Sequence, residues 1–498
     1  MAWTSERLEN VVRERLDGLR VVVVANREPY IHTYVDEEVR CMRPASGLTT
    51  ALDPVMRVCG GVWVGHGSGD ADRAVVDERD RVAVPPELPA YTLRRVWLTR
   101  KEEQGYYYGF ANEALWPLCH VAYTRPKFDS VDWSQYRAVN RKFADAVLDE
   151  VQDEPAVVFV QDYHFALLPR MLKDARGDLV VLQFWHIPWP NREVFRVCPW
   201  QDEILDGLLG NDLLSFHIQY HCNNFLDTVD RTIEARVDME RFAVTRGGRT
   251  TYVRPQPISI DADAVLLQLP PDVAAEERRI RRRLRLGDEQ VLVGVDRVDY
   301  TKGLPERFAA VDRLLTLHPE FKGQFSLVQV GAPSRMHIPA YRDLNEELGR
   351  LADDINWRHG EGAWRPIIFL NQHHGSRELY ALYRIAAGCV VSSLHDGMNL
   401  VAKEFVAARD DLRGVLVLSQ FTGAARELGD AVLINPYAVD EFAEGLRTAL
   451  TMAPEEQEQR MRRMRQQVGD NNIYRWAGML LSEAGKLAGA AQPAGERL

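Results

Sequence analysis

Ten short β-branched runs, each closed by a polar or Gly/Pro turn and most of them followed by a helix-like stretch, constrain this chain more than any other feature. They occupy residues 21–24, 156–160, 179–184, 213–216, 291–295, 325–330, 367–370, 390–392, 415–418 and 431–434. Continuous apolar runs of this length suit strands buried on both faces, and their alternation with helices makes the sheets parallel. The expected class is therefore α/β. A chain of 498 residues is too long for one core, so two domains are expected. The seam is placed at 253–259, where Pro255 and Pro257 stiffen a connection before a new series of alternating elements. That gives domains of 1–255 and 256–469.

The formal net charge of −11 argues against a nucleic-acid partner, because phosphate backbones select for basic faces. No stretch reaches the roughly 18 uninterrupted apolar residues of a membrane span. The first twenty residues alternate charges such as Glu6, Arg7 and Glu9 with Leu8, Val11 and Val12, the pattern of an amphipathic helix rather than a signal peptide. A cytoplasmic protein with no membrane partner is expected. Cys41, Cys59, Cys119, Cys198, Cys222 and Cys389 are scattered without a CxxC pair, as expected for buried thiols in a reducing compartment. Two charge runs, at 276–285 and 455–465, read as solvated helix faces. In the first, Ile280 and Leu284 sit four apart; in the second, acids follow Pro454 and bases close the run.

Two segments about a hundred residues apart carry the clearest chemistry. The first, 296–303, places Arg297 and Lys302 in a Gly-containing turn directly after an apolar run. A bidentate fork beside a point charge suits a diphosphate. The second, 393–404, sets Asp396 and Gly397 before a helix whose free N–H groups would face an anion, with Glu404 two turns further on. Asp396 either caps that helix or hydrogen-bonds sugar hydroxyls; Glu404 either faces solvent or accepts ribose hydroxyls. Together the segments suggest a nucleotide-sugar site.

Other candidates lie just past apolar runs, where open α/β sheets bind ligands. Asp162 and His164 follow one run, His186 the next, and Arg27 and Arg335 two others. The arginines are charge partners for a phosphorylated acceptor. Asp70 and Asp72 match a DxD string but lie in a Gly-rich loop, and His217 and His221 have zinc-like spacing with no third ligand. No metal is expected at either.

These residues stand in register with a known family. Asn26 and Arg27, Tyr107 with Trp116, the stretches 161–164 and 186–190, the stretch from Arg297 to Arg307, Ser334 with Arg335, the stretch 396–404, and 435–437 follow in order from about residue 20 to 450. The pattern resembles the trehalose-6-phosphate synthases, retaining glycosyltransferases. The resemblance implies a GT-B fold: two Rossmann-like domains facing across a cleft, with a helix at about 470–490 returning to the first. It implies glucose transfer, with retention and without a metal or cofactor, from a nucleotide donor such as UDP-glucose to glucose 6-phosphate. Arg297 and Lys302 would then hold the donor diphosphate. Asp396, Gly397, Met398, Asn399, Leu400 and Val401 would hold the glucose, Glu404 the ribose, and Gly47 a loop near the phosphates. His186 would meet the donor sugar near the reacting centre. Arg27, His66, Tyr107, Trp116, His164 and Arg335 would bind the acceptor, with Asp162 orienting its hydroxyls. Asp162, His186, Arg297 and Asp396 form the expected catalytic set. The family also implies a homo-oligomer.

Three departures from the family pattern gather at the acceptor and the donor loop. The stretch from Ala45 to Leu48 stands where the family has a Gly-Gly-Leu loop, so one position near the phosphates carries a side chain, and His66 replaces a second Trp. The stretch from Arg27 to Tyr30 is closer to glucosylglycerol-phosphate synthases. An acceptor such as glycerol 3-phosphate is therefore the first alternative, and a non-catalytic sugar-phosphate sensor the second.

Overall fold

The computed structural model describes residues 3–44 and 47–491; Ala45 and Ser46 lie outside the described residues. Two compact units result. One is Ser259–Asn472, and the other comprises everything described before and after it.

The first unit is built on a 10-stranded sheet. Its centre is parallel, running Arg249–Pro255, Leu213–Phe216, Val180–Phe184, Ala156–Gln161, Arg20–Arg27, Val62–His66 and Tyr91–Val96 in spatial order. Both edges turn antiparallel, through Ala243–Arg246 and Arg236–Asp238 at one end and Arg81–Val84 at the other. These edges qualify the all-parallel expectation. The interior strands are apolar because helices cover both faces, and residues 21–25 and 156–160 are all buried. The final helix, Ile473–Ala491, packs on this same unit, with Trp476 5.7 Å from Phe159 and 5.1 Å from Phe184 between ring centres.

The second unit has a wholly parallel 6-stranded sheet in the order Ile367–Leu370, Phe325–Ala332, Gln290–Arg297, Gly388–Val391, Val415–Ser419, Val432–Ile434. Every β-branched run of the sequence is one of the strands of the two sheets. Both charge runs are helical: Val273–Leu284 buries Ile280 and Leu284, and Pro454–Asp470 begins with Pro at its first turn, where a missing N–H costs nothing.

One reading is corrected. All six cysteines are free, but Cys41 is exposed and Cys59 half-buried rather than buried. Cys41 sits on a separate two-stranded hairpin, Ile31–Val35 with Glu38–Met42, whose second strand is exposed throughout. Asp72 is buried against Arg95 at 2.7 Å and accepts from the Gly69 and His32 amides. His217 is likewise structural, bonding the His186 carbonyl at 3.0 Å and accepting from the Ile258 amide. Among the described residues no His, Cys, Asp and Glu group could hold a metal ion, and no helix is long and apolar enough to cross a membrane.

Candidate functional site

In the second unit, the strand Gln290–Arg297 delivers Arg297 at its end, a single 3₁₀ turn Tyr300–Lys302 comes next, and Gly303 reverses the chain into the helix Leu304–Leu317. Gly303 has φ +63°, and a Cβ there would collide with the Ser392 carbonyl. Only glycine lets the two loops approach this closely. They are tied where they meet: the Leu394 amide donates to the Thr301 carbonyl at 2.8 Å, and Ser392 Oγ donates to the Gly303 carbonyl at 2.8 Å. The two segments singled out in the sequence are thus one structural piece.

Across that junction Lys302 Nζ lies 2.5 Å from Asp396 Oδ2, which also accepts from Ser393 Oγ and Asn399 Nδ2. Asp396 does not cap the helix Leu400–Ala408. The cap is Asn399, at φ 83°, whose Oδ1 accepts from the Ala402 amide at 3.1 Å. Asp396 is therefore left to ion-pairing and hydrogen bonding. Met398 is buried, while Leu400 and Val401 open the helix and are half-buried. Glu404, in the second turn of this helix, is half-buried, and burial pushes its carboxyl up to about 7.

Asp299 organises the other side of the clamp. It is fully buried and meets Arg335 at 3.4 Å and Arg297 at 3.8 Å. Burial raises its carboxyl, but Arg335 and Arg297 outweigh that and hold it below the ordinary range. Arg335, at φ 49°, also donates to Tyr341 Oη at 2.6 Å and lies over that ring. It belongs to the same cluster as Arg297.

In the first unit the remaining candidates gather at neighbouring strand ends. Asp162 ends Ala156–Gln161 with φ 70° and ψ 178°, a region essentially reserved for glycine. This strained backbone aims Oδ1 at the Tyr163 amide, 2.9 Å, and the His186 amide, 3.1 Å. His186 Nε2 meets Gln161 Oε1 at 2.9 Å, and burial lowers the ring to about 3, so it is neutral.

Arg27 and His66 end adjacent parallel strands and face one another in register. Arg27 is exposed and reaches Tyr107 Oη at 3.3 Å; Tyr107 stacks on His164 with ring centres 5.7 Å apart. Tyr107 lies in a π-helical segment, Gln104–Leu115, a widened geometry frequent at functional sites. Trp116 comes directly after it, buried against His120 and Tyr163. His66 is held neutral, first by burial, against its bond to the Val96 carbonyl. Gly47 begins the helix Gly47–Cys59 in this unit. Arg27, Tyr107, His164, Asp162 and His186 are thus linked side by side, whereas Trp116 packs behind them.

Two buried clusters escape the sequence reading. Beneath Arg27, Arg95 is fully buried between Glu28, 2.8 Å, and Asp72, 2.7 Å. Burial, and then the hydrogen bond its protonated form donates to Asp72, push Glu28 up to about 8, so the pair keeps one proton near neutrality. Beneath Arg297, Arg307 is fully buried against Asp296 at 2.7 Å. The available signals were Arg95 inside a strand and a glycine, Gly294, inside an apolar run.

The residues 19–486 match the model of glycosyltransferase family 20. The chain is 40% identical over 479 residues to a trehalose-6-phosphate synthase of Mycolicibacterium vanbaalenii, covering 94% of this chain and 96% of that one. It is 39% identical over 488 residues, 94% of each chain, to the trehalose-6-phosphate synthase of Mycobacterium tuberculosis H37Rv. Among solved structures it resembles trehalose-6-phosphate from E. coli bound with UDP-2-fluoro glucose, at TM-score 0.84 and 32% identity over 94% of this chain and 99% of that one. A UDP-forming α,α-trehalose-phosphate synthase from Burkholderia xenovorans in complex with glucose-6-phosphate gives TM-score 0.82 and 31% identity over 93% and 100%. The two parallel-sheet units accordingly give the chain the GT-B fold.

Proposed function

The chain belongs to glycosyltransferase family 20, and from that premise we propose that it transfers glucose, with retention, from UDP-glucose to glucose 6-phosphate, forming α,α-trehalose 6-phosphate and UDP. The observation that carries this reading is the junction of the two loops of the second unit. It sets Arg297, Lys302 and Asp396 together at the carboxyl ends of adjacent strands, with Lys302 and Asp396 in direct contact. Cations and a helix N-terminus at strand ends are what a leaving diphosphate requires.

Arg297 and Lys302 take the diphosphate, Asp396 and the turn through Val401 the glucose, and Glu404 the ribose hydroxyls. Arg27, Tyr107 and Arg335 take the acceptor phosphate, and Asp162 orients acceptor hydroxyls. His186, neutral by burial, offers a donor-sugar hydroxyl a hydrogen bond without adding charge. No carboxylate among these residues is assigned as a nucleophile. The acceptor hydroxyl therefore attacks the anomeric carbon on the face the phosphate leaves: the new C–O bond forms as the C1–O phosphate bond breaks, and the acceptor proton passes to the departing phosphate oxygen. Positioning and stabilisation of the charge on the leaving group supply the acceleration.

The test is a panel of nucleotide-glucoses crossed with glucose 6-phosphate and glycerol 3-phosphate, with products identified by mass. Release of UDP only with glucose 6-phosphate supports the reading. Turnover only with glycerol 3-phosphate selects the polyol-phosphate alternative. Sugar-phosphate binding with no donor turnover selects the sensor.

A further inference from the structure

We propose that Arg307 is a positioning residue for the donor diphosphate, a buried guanidinium that holds the loops bearing Arg297 and Lys302 in register from beneath. The proposal rests on the donor reading above. Arg307 lies in the first turn of the helix Leu304–Leu317 and is fully buried. Nη1 donates to Asp296 Oδ2 at 2.7 Å and Gln329 Oε1 at 2.5 Å, and Nε donates to Ser392 Oγ at 3.0 Å.

Each partner belongs to a different, adjacent strand or its exit. Asp296 directly precedes Arg297, Gln329 lies in Phe325–Ala332, and Ser392 directly follows Gly388–Val391. Ser392 Oγ in turn lies 3.1 Å from the Lys302 carbonyl. One planar fork therefore fixes the residue beside Arg297, the peptide of Lys302 and the start of the loop that carries Asp396. Only an arginine offers divergent donors in a rigid plane.

The strand itself makes room for this group. A Cβ at Gly294 would collide with Arg307 Nη1 and Gln329 Oε1. Glycine inside a buried strand weakens it, so the position is explained by the guanidinium it admits. Stability alone does not explain the cluster either, because a buried ion pair is often matched or bettered by apolar residues of similar volume. What the cluster supplies is a fixed geometry across three adjacent strands.

The test uses the full-length protein and calorimetric binding of UDP, which needs no turnover, with glucose 6-phosphate binding as the internal control. Arg307→Lys keeps the buried charge but reaches fewer partners. Its expected result is UDP affinity weakened about tenfold, from misplaced cations, glucose 6-phosphate affinity within about twofold, and a cooperative melting transition. The double variant Asp296→Asn with Arg307→Met removes both charges, so no carboxylate is stranded, and is expected to weaken UDP further. UDP binding at the wild-type level in either folded variant overturns the proposal. So does a parallel loss of UDP and glucose 6-phosphate binding, which marks a general packing role. Wild-type protein that binds no UDP removes the donor reading itself, a result distinct from either variant's.

Discussion

Lys302 Nζ and Asp396 Oδ2 are 2.5 Å apart across the junction of two loops, with both side chains nearly buried. The pair ties the diphosphate half of the donor site to the sugar half, so neither charge can be changed without disturbing the other. Removing one partner of such a pair strands the other in a poorly solvated place, at a cost of about 3 kcal/mol. Lys302→Met and Asp396→Asn should each lower stability and raise the donor KM. In a double-mutant cycle the two should couple by about 1 kcal/mol or more. Additive effects in chemical denaturation would show that the contact carries no weight.

Arg297 presents the contrasting case. Its side chain is 38% exposed, with Asp299 3.8 Å away. A charge this open to water contributes little to stability. Arg297→Ala should melt within a few degrees of wild type yet lose about 10²-fold or more in kcat, the size expected for removing charge stabilisation from a transition state. Near-wild-type turnover would remove it from the leaving-group site.

Asp162 carries its side chain on a backbone only glycine tolerates comfortably, at φ 70° and ψ 178°. Asp162→Ala keeps that strain; Asp162→Gly relieves it. The glycine variant should be the more stable of the two by about 1 kcal/mol, within the 1–3 kcal/mol range of such strain once glycine's greater unfolded-state entropy is subtracted. Both variants should lose most of their turnover. Thermal denaturation of the pair checks the first claim and steady-state kinetics the second; equal stability would mean the backbone relaxes.

Glu404 should give donor binding a pH dependence. Burial raises its carboxyl to about 7. A carboxylate accepting two ribose hydroxyls must be ionised, so UDP affinity should rise as pH climbs through about 7, and Glu404→Gln should flatten that rise. Its effect on folding has the opposite sign. Between the unfolded value of 4.5 and about 7 the folded protein holds the extra proton, so this group's contribution to stability falls as pH rises through that window. Calorimetric titration against pH reads the first effect and melting against pH the second; a UDP affinity that is flat in the wild type would place Glu404 away from the ribose.

Some of these residues are legible in the sequence because of their place along it. Arg297, Lys302, Asp162 and His186 stand directly after apolar strands, and a stiff strand delivers the residues beyond it to a sheet edge, so position along the chain becomes position in space. The helix cap is less legible, because Asp396 and Asn399 are both short hydrogen-bonding residues ahead of Leu400. Only the backbone, with Asn399 at φ 83°, separates the capping residue from the one that pairs with Lys302. Strand Tyr91–Val96 is hidden for another reason. Arg95 makes it look polar, and the burial of that cation is possible only because Glu28 and Asp72, distant in sequence, converge on it. Cys41 is misread because a separate hairpin, exposed along its second strand, breaks the rule that thiols are buried. The substitution at Ser46 falls outside the described residues, so its effect on the donor loop rests on activity alone.

The most direct test of the central claim is proton NMR of the reaction between UDP-glucose and glucose 6-phosphate catalysed by this protein. The account predicts one disaccharide phosphate in which both anomeric protons show the small coupling of α linkages, formed in step with UDP. A product with a β-configured glucosyl residue, or no disaccharide phosphate while UDP-glucose persists, would contradict it.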